Sequence, residues 1–226
     1  MNSDFYLILV IASAAISLWA QYKVHSTFAK YSRVSSEKGI SGAKAAQVLM
    51  RESGISDVTI RPIGGSLTDN YNPGNKTLNL SEPVFSRTSI AAIGVAAHET
   101  GHAVQHKIGY GPLVLRSTLV PAANIGSRFG PALAVIGFFA GFPPLTEIGI
   151  LLFFGAVIFY LVTLPVEFDA SFRALRLLRQ TGTLSERELR GARAVLSAAA
   201  MTYVASALTA IVQLLRLLSL RNDRRR

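Results

Sequence analysis

His98-Glu99-Thr100-Gly101-His102 stands inside a run, from about Thr88 to Lys107, that is apolar on most sides. Ala91, Ala92, Ile93, Val95, Ala96 and Ala97 precede it, and Ala103 and Val104 follow. A run of this kind predicts a buried helix. At ~3.6 residues per turn His98 and His102 share one face, so both imidazoles reach one metal ion. Glu99 projects beside them, placed to take a proton from a metal-activated water. Unpaired buried polar groups are costly, and a metal supplies the missing partners. The expected cofactor is Zn2+, with His98 and His102 as ligands and Glu99 as general base.

A tetrahedral site needs a third protein ligand. His106 lies one turn further along the same face. Positions 98, 102 and 106 climb about 12 Å along a helix axis, too far for one ion. His106 is therefore read as a polar position near the helix end. The longer H-E-x-x-H-x-x-G-x-x-H pattern fails, because Gln105 and Ile108 stand where Gly and His are required. The chain has no cysteine, and its remaining histidine is His25. A carboxylate is the expected third ligand.

Half of the 226 residues are hydrophobic and only 16% are charged, with 23 Lys and Arg against 13 acids. In a soluble protein that balance would raise nucleic acid as a partner. Apolar segments explain it better, because basic loops orient membrane proteins; the expected partners are a lipid bilayer and a protein or peptide substrate, with no nucleic acid. The lack of cysteine excludes disulfides and thiolate zinc sites.

Phe5 to about Ala20 carries no charge, and Lys23, His25, Lys30 and Arg33 follow it. Met1 to Asp4 has no basic residue, so the segment reads as an uncleaved anchor with its N-terminus outside, not as a signal peptide. Ser117 to Gly141 carries one charge, Arg128. Ile148 to Val166 carries none, and is the strongest span in the chain. The two form a hairpin around a turn at Phe142–Glu147. Val195 to Leu215 is also uncharged, but Arg216, Arg221, Arg224, Arg225 and Arg226 follow it. Exporting five Arg opposes the positive-inside bias, so this segment is expected to pack on the catalytic domain or lie along the membrane.

The resulting division is residues 1–22 as anchor, 23–116 as cytoplasmic catalytic domain, 117–166 as transmembrane hairpin, 167–194 as cytoplasmic helices and 195–226 as apolar helix with basic tail. Within the catalytic domain, Ser41 caps a helix from about Gly42 to Ser53 that Gly54 ends. Val58–Ile63 reads as a strand. Leu67–Tyr71 and Lys76–Leu80 flank Asn72-Pro73-Gly74-Asn75, a hairpin signal. Thr183 with Glu186 suggests a capping box. The Lys76–Leu80 strand is a candidate edge for pairing with an extended peptide, or else an internal strand. The fold class is a mainly α membrane protein: transmembrane helices plus a small α+β, zincin-like (gluzincin) catalytic domain with a short β-sheet.

The hairpin bears on the third ligand. Two crossings separate His102 from Pro165-Val166-Glu167-Phe168-Asp169-Ala170-Ser171, so Glu167 and Asp169 return to the side of the two histidines. A carboxylate there, at a helix start, would also gain from the helix dipole. At this point the chain resembles the YugP-type neutral zinc metallopeptidases of bacterial membranes. The resemblance rests on Leu67-Thr68-Asp69-Asn70-Tyr71-Asn72-Pro73, on Ala96 to Gln105, and on Leu164 to Ser171. The layout is similar to the HtpX and CAAX-prenyl membrane proteases, which place a transmembrane hairpin between H-E-x-x-H and a glutamate ligand. That resemblance implies Glu167 as third ligand. HtpX-type proteins carry an Asp four residues after the glutamate, as hydrogen-bond partner of a ligand His; Ser171 stands there, which leaves Asp169 as a candidate for the role. Tyr71 and Tyr203 are candidate oxyanion donors. The expected function is a zinc-dependent endopeptidase at the cytoplasmic face of the plasma membrane. The alternative is a proteolytically inactive zinc-binding membrane adaptor.

Overall fold

The computed structural model describes residues 3–223; Met1, Asn2 and the Arg224–Arg226 end of the basic tail lie outside them. Helices dominate: α1 Ser3–Ser32, α2 Gly42–Glu52, α3 Glu82–Phe85, α4 Ile90–Lys107, α5 Gly111–Phe139, α6 Pro143–Gln180 and α7 Glu186–Asp223. One small sheet holds β1 Thr59–Ile63, β2 Asn70–Asn72 and β3 Thr77–Ser81 in the order β1-β3-β2, with β1 parallel and β2 antiparallel to β3. Four helical stretches, Phe5–Ser32, Gly111–Phe139, Pro143–Gln180 and Glu186–Asn222, are long and apolar enough to cross a membrane.

The chain divides into two compact units. One comprises residues 22–113 and 166–201. Its chemistry-bearing element is α4, capped by Ser89, whose hydroxyl accepts from the Ala92 N–H at 3.2 Å. The helix closes on Gly109 at φ 62°, with Tyr110 N donating to Gln105 O. On one side of α4, Ala91, Ala96 and Ala103 join Leu78 and Leu80 of β3 and Met50 of α2 in a buried cluster. On the other, Ile93 and Ala97 join Leu49, Ala174, Leu178 and Leu196. Small residues all round α4 let neighbours approach from every side, which is why the helix is buried.

The other unit comprises, among the described residues, 3–21, 114–165 and 202–223. Gly126, Gly130 and Gly137 of α5 leave no room for a Cβ against the backbone of α6, so the hairpin arms pack closely. A buried cluster joins Ala134 of α5 and Ile150, Phe153, Ala156 and Val157 of α6 to Ala210, Leu214 and Leu217 of α7. Ser17 of α1 shares a 3.1 Å hydrogen bond with Thr209 of α7.

Several expectations need correction. Glu167 is not at a helix start: α6 runs unbroken from Pro143 to Gln180 through Pro165, so no helix dipole acts on it. Pro165 removes one backbone donor, and the buried Phe153, Ala156 and Val157 before it and Val166, Ala170, Ala174 and Leu178 after it hold the helix across that gap. The hairpin turn is shorter than Phe142–Glu147, because Pro143 already opens α6, as proline at a first helical position does. The Lys76–Leu80 strand offers no free edge, since β3 is paired on both sides; β1 and β2 are the edges. The capping box is shifted by two residues: the Ser185 N–H donates to Glu188 Oε2 at 2.8 Å. Residues 195–215 do not pack wholly with the unit that holds α4 either. Beyond Met201, α7 joins α1, α5 and α6 in the apolar unit.

Candidate metal centre

His98 and His102 project from one face of α4, and their rings meet edge to face at a centroid distance of 4.7 Å. From α6, Glu167 Oε2 stands 3.1 Å from His98 Nε2 and 3.6 Å from His102 Nε2. Glu167 is buried, at 2% exposure. What lets α6 come so near is Gly101, between the histidines. A Cβ there would sit 2.5 Å from the Ala170 carbonyl oxygen, a clash in any real structure.

The three donors suit a zinc ion. They lie within 4.8 Å of one another. Ligands ~2 Å from a tetrahedral centre stand roughly 3.3 Å apart, which the two measured separations bracket. Two imidazole nitrogens and one carboxylate oxygen are also the donor types that leave a zinc ion a fourth, open position.

The far side of each imidazole is held as well. His98 Nδ1 lies 3.1 Å from Ser171 Oγ. His102 Nδ1 lies 3.0 Å from Gln105 Oε1. Gln105, fully buried, gives its amide nitrogen to Val166 O at 2.8 Å and to Asp169 Oδ2 at 2.8 Å. Both amide hydrogens thus face acceptors on α6, so Oε1 must face His102. His102 therefore carries its proton on Nδ1 and keeps the Nε2 lone pair for a metal. Asp169 is fixed in turn by Arg173 Nε at 2.6 Å, and that guanidinium lies over the Tyr110 ring, 5.8 Å from its centroid.

Glu99 is buried beside the group at 8% exposure. Burial raises its carboxyl above the ordinary value; the charges of Glu167 and Asp69 add to this, and those of His98 and His102 oppose it. Burial also disfavours the charged form of His102, but the Glu167 and Glu99 carboxylates outweigh it and raise its pKa.

The remaining sequence candidates lie elsewhere. Tyr71 uses its hydroxyl on His106 Nδ1, at 2.7 Å, pinning β2 to the end of α4. His106 stays apart from the three-donor group. Tyr203 is half-buried on α7, in the apolar unit. Asp169 reaches His102 only through Gln105, while Ser171 meets His98 directly. Gln105 is the residue that sequence reasoning missed. It sits at i+3 from His102, on the same face, a signal that was present but that the failed longer motif obscured.

A model of the family described as "Putative neutral zinc metallopeptidase" matches residues 6–222. The chain is also 46% identical, over 211 residues, to the "Putative membrane protease YugP" of Bacillus subtilis (strain 168), covering 93% of this chain and 94% of that relative. No solved structure matches.

Proposed function

Because this chain belongs to the neutral zinc metallopeptidase family that its residues 6–222 match, we propose that it is a membrane-embedded zinc endopeptidase whose site faces the cytoplasm. The observation that carries this reading is the buried His98–His102–Glu167 group with the Glu99 carboxyl next to it. His98, His102 and Glu167 hold the metal. When bound, zinc supplies Lewis acidity, which lowers the pKa of water and polarises a scissile carbonyl.

The chain's own residues do the rest. Glu99 accepts the proton of the attacking water and delivers it to the leaving amine nitrogen. Its burial favours this, because a raised pKa brings a carboxyl nearer to neutrality and makes it a stronger base. Ser171 and Gln105 orient the two imidazoles, and Asp169 with Arg173 locks Gln105. A group this deeply placed excludes bulk water from the reacting atoms.

Four crossings by α1, α5, α6 and α7 fit the packing of the apolar unit. Orientation follows from charge. Lys23, Lys30 and Arg33 follow the first span, and Arg173, Arg176 and Arg179 follow α6's apolar stretch, whereas Ala140 to Leu145 at the hairpin tip has no basic residue. The positive-inside bias therefore puts residues 22–113 and 166–201 in the cytoplasm.

Zinc analysis of the purified full chain, together with chelator treatment in a cleavage assay, tests this reading. One zinc per chain is expected, with cleavage of a test protein abolished by the chelator and restored by Zn2+. Stoichiometric zinc without any cleavage would make the chain an adaptor instead.

A further inference from the structure

Helices that face lipid turn apolar side chains outward, and most of this apolar unit does so. α1 exposes Ile8, Ile11 and Leu18, and α6 exposes Ile148, Leu151 and Phe154. α5 also exposes apolar side chains, Val120, Ile125, Phe129 and Ile136 among them, but it turns polar ones outward as well. Its exposed positions include Ser117, Pro121, Asn124, Arg128 and Ala132. These positions follow one another at spacings of four, three, four and four, so they form a single stripe along the helix.

Depth makes the stripe significant. Arg128 lies about 18 Å along the helix axis from Ala140 at the hairpin tip and about 21 Å from Val114, by the ~1.5 Å rise per residue. That is the middle of the span and well beyond the reach of a snorkelling arginine. Its guanidinium lies over the neighbouring Phe129 ring, 5.5 Å from the centroid. An arginine turned to hydrocarbon at mid-bilayer is strongly disfavoured; intramembrane charges pair with other polar groups.

We propose that this face of α5 docks the transmembrane helix of another membrane protein, one carrying an Asp or Glu near its midpoint. Three features select that occupant. Spacings of four and three are those of side chains along the seam of two helices packed side by side. Asn124 and Arg128 offer hydrogen-bond donors at adjacent turns, to which a carboxylate is complementary. A second copy is the wrong partner. Copies share one orientation in the membrane, so α5 against α5 would bring each Arg128 to the depth of the other. The inference rests on α5 spanning the membrane, as the proposed function has it, and is independent of the hydrolytic chemistry.

The test reconstitutes the full chain carrying Ala132→Cys, its only cysteine, in phosphatidylcholine vesicles. The probe is a synthetic leucine–alanine transmembrane peptide with one central Asp and a Cys one turn away. Oxidative cross-linking to position 132 is expected to be roughly tenfold greater for this probe than for the same peptide with a central Leu, a ratio typical of one interhelical polar contact. Arg128→Leu in the same background, a change that suits a lipid-facing helix, should erase the difference. Equal cross-linking of both probes overturns the proposal, as does a dominant disulfide between two copies at position 132. Reaction of the introduced thiol at position 132 with an impermeant maleimide overturns it in favour of a water-filled face. Leu151→Cys in the vesicles reports on the premise: if it reacts too, the hairpin is not in the bilayer, and the membrane reading itself fails.

Discussion

Glu99→Gln separates metal binding from catalysis. The amide keeps the shape of the side chain and all three donors, and removes the base. Zinc content should stay at the wild-type level while cleavage falls by roughly 10²–10⁴, the usual share of a general base. Metal analysis and turnover on one preparation check this; undiminished turnover would remove Glu99 from the reaction. Gln105→Leu makes the opposite separation. It unties His102 Nδ1 and takes the Gln105 amide away from Val166 O and Asp169, which keeps Arg173 as its other donor. Zinc affinity should drop by about 10–100-fold, as for other residues that orient a metal's ligands. A competition titration with a zinc chelator reads it, and unchanged affinity would show that His102 needs no such support. The difference in legibility between these residues is physical. The His98, Glu99 and His102 set can be read because a helix turns spacing into geometry. Gln105 acts through Val166 and Asp169, some sixty residues away, and no local pattern records that partnership.

Elements bring the site together, and the crossing of α4 and α6 is the decisive one. At Gly101 the Ala170 carbonyl leaves no space for a methyl group. Gly101→Ala should force the helices apart and cost about 1–3 kcal/mol, as overpacking does. It should weaken zinc binding too, because Glu167 moves with α6. A thermal melt with and without Zn2+ would show both; a variant that melts and binds like the wild type would mean that α6 yields locally. The start of α7 offers a second case. Glu188, at 5% exposure, accepts the backbone N–H groups of Ser185 and Glu37, at 2.8 and 2.7 Å. Glu188→Ala strands both donors and should lower stability by about 1–3 kcal/mol. Sequence placed a capping box here two residues early, because Thr183–Glu186 and Ser185–Glu188 satisfy the same local pattern. The contact with Glu37, which decides between them, is tertiary. The helix start expected at Glu167 failed for a related reason. Pro165 reads as a boundary locally, but a helix with apolar packing on both sides of a proline continues through it.

At the scale of the whole molecule, the open question in the sequence was the fate of residues 195–215, where charge and packing disagree. Five Arg after the segment argue for keeping the tail in the cytoplasm. The structure supplies the opposing term. Ala210, Leu214 and Leu217 are buried with Ala134, Ile150 and Phe153, in the half of the hairpin nearer its tip. α7 therefore ends at the level of that tip, and if the tip is outside, so is Asn222. Burial of a continuous helical face extends over several turns, whereas the positive-inside bias acts through residues that remain in solvent, so packing is expected to win. Single cysteines decide it, since the chain has none to remove. Ala140, Ser86, Gln180 and Asn222 are all exposed sites for them. In intact cells an impermeant maleimide should label Ala140→Cys and Asn222→Cys, and should spare Ser86→Cys and Gln180→Cys. Protection of Asn222→Cys alone would return the tail to the cytoplasm and leave the metal centre as described. Labelling of just one of Ser86→Cys and Gln180→Cys would put α4 and the Glu167 turn of α6 on opposite sides of the bilayer, and no single metal ion can be held by ligands divided in that way.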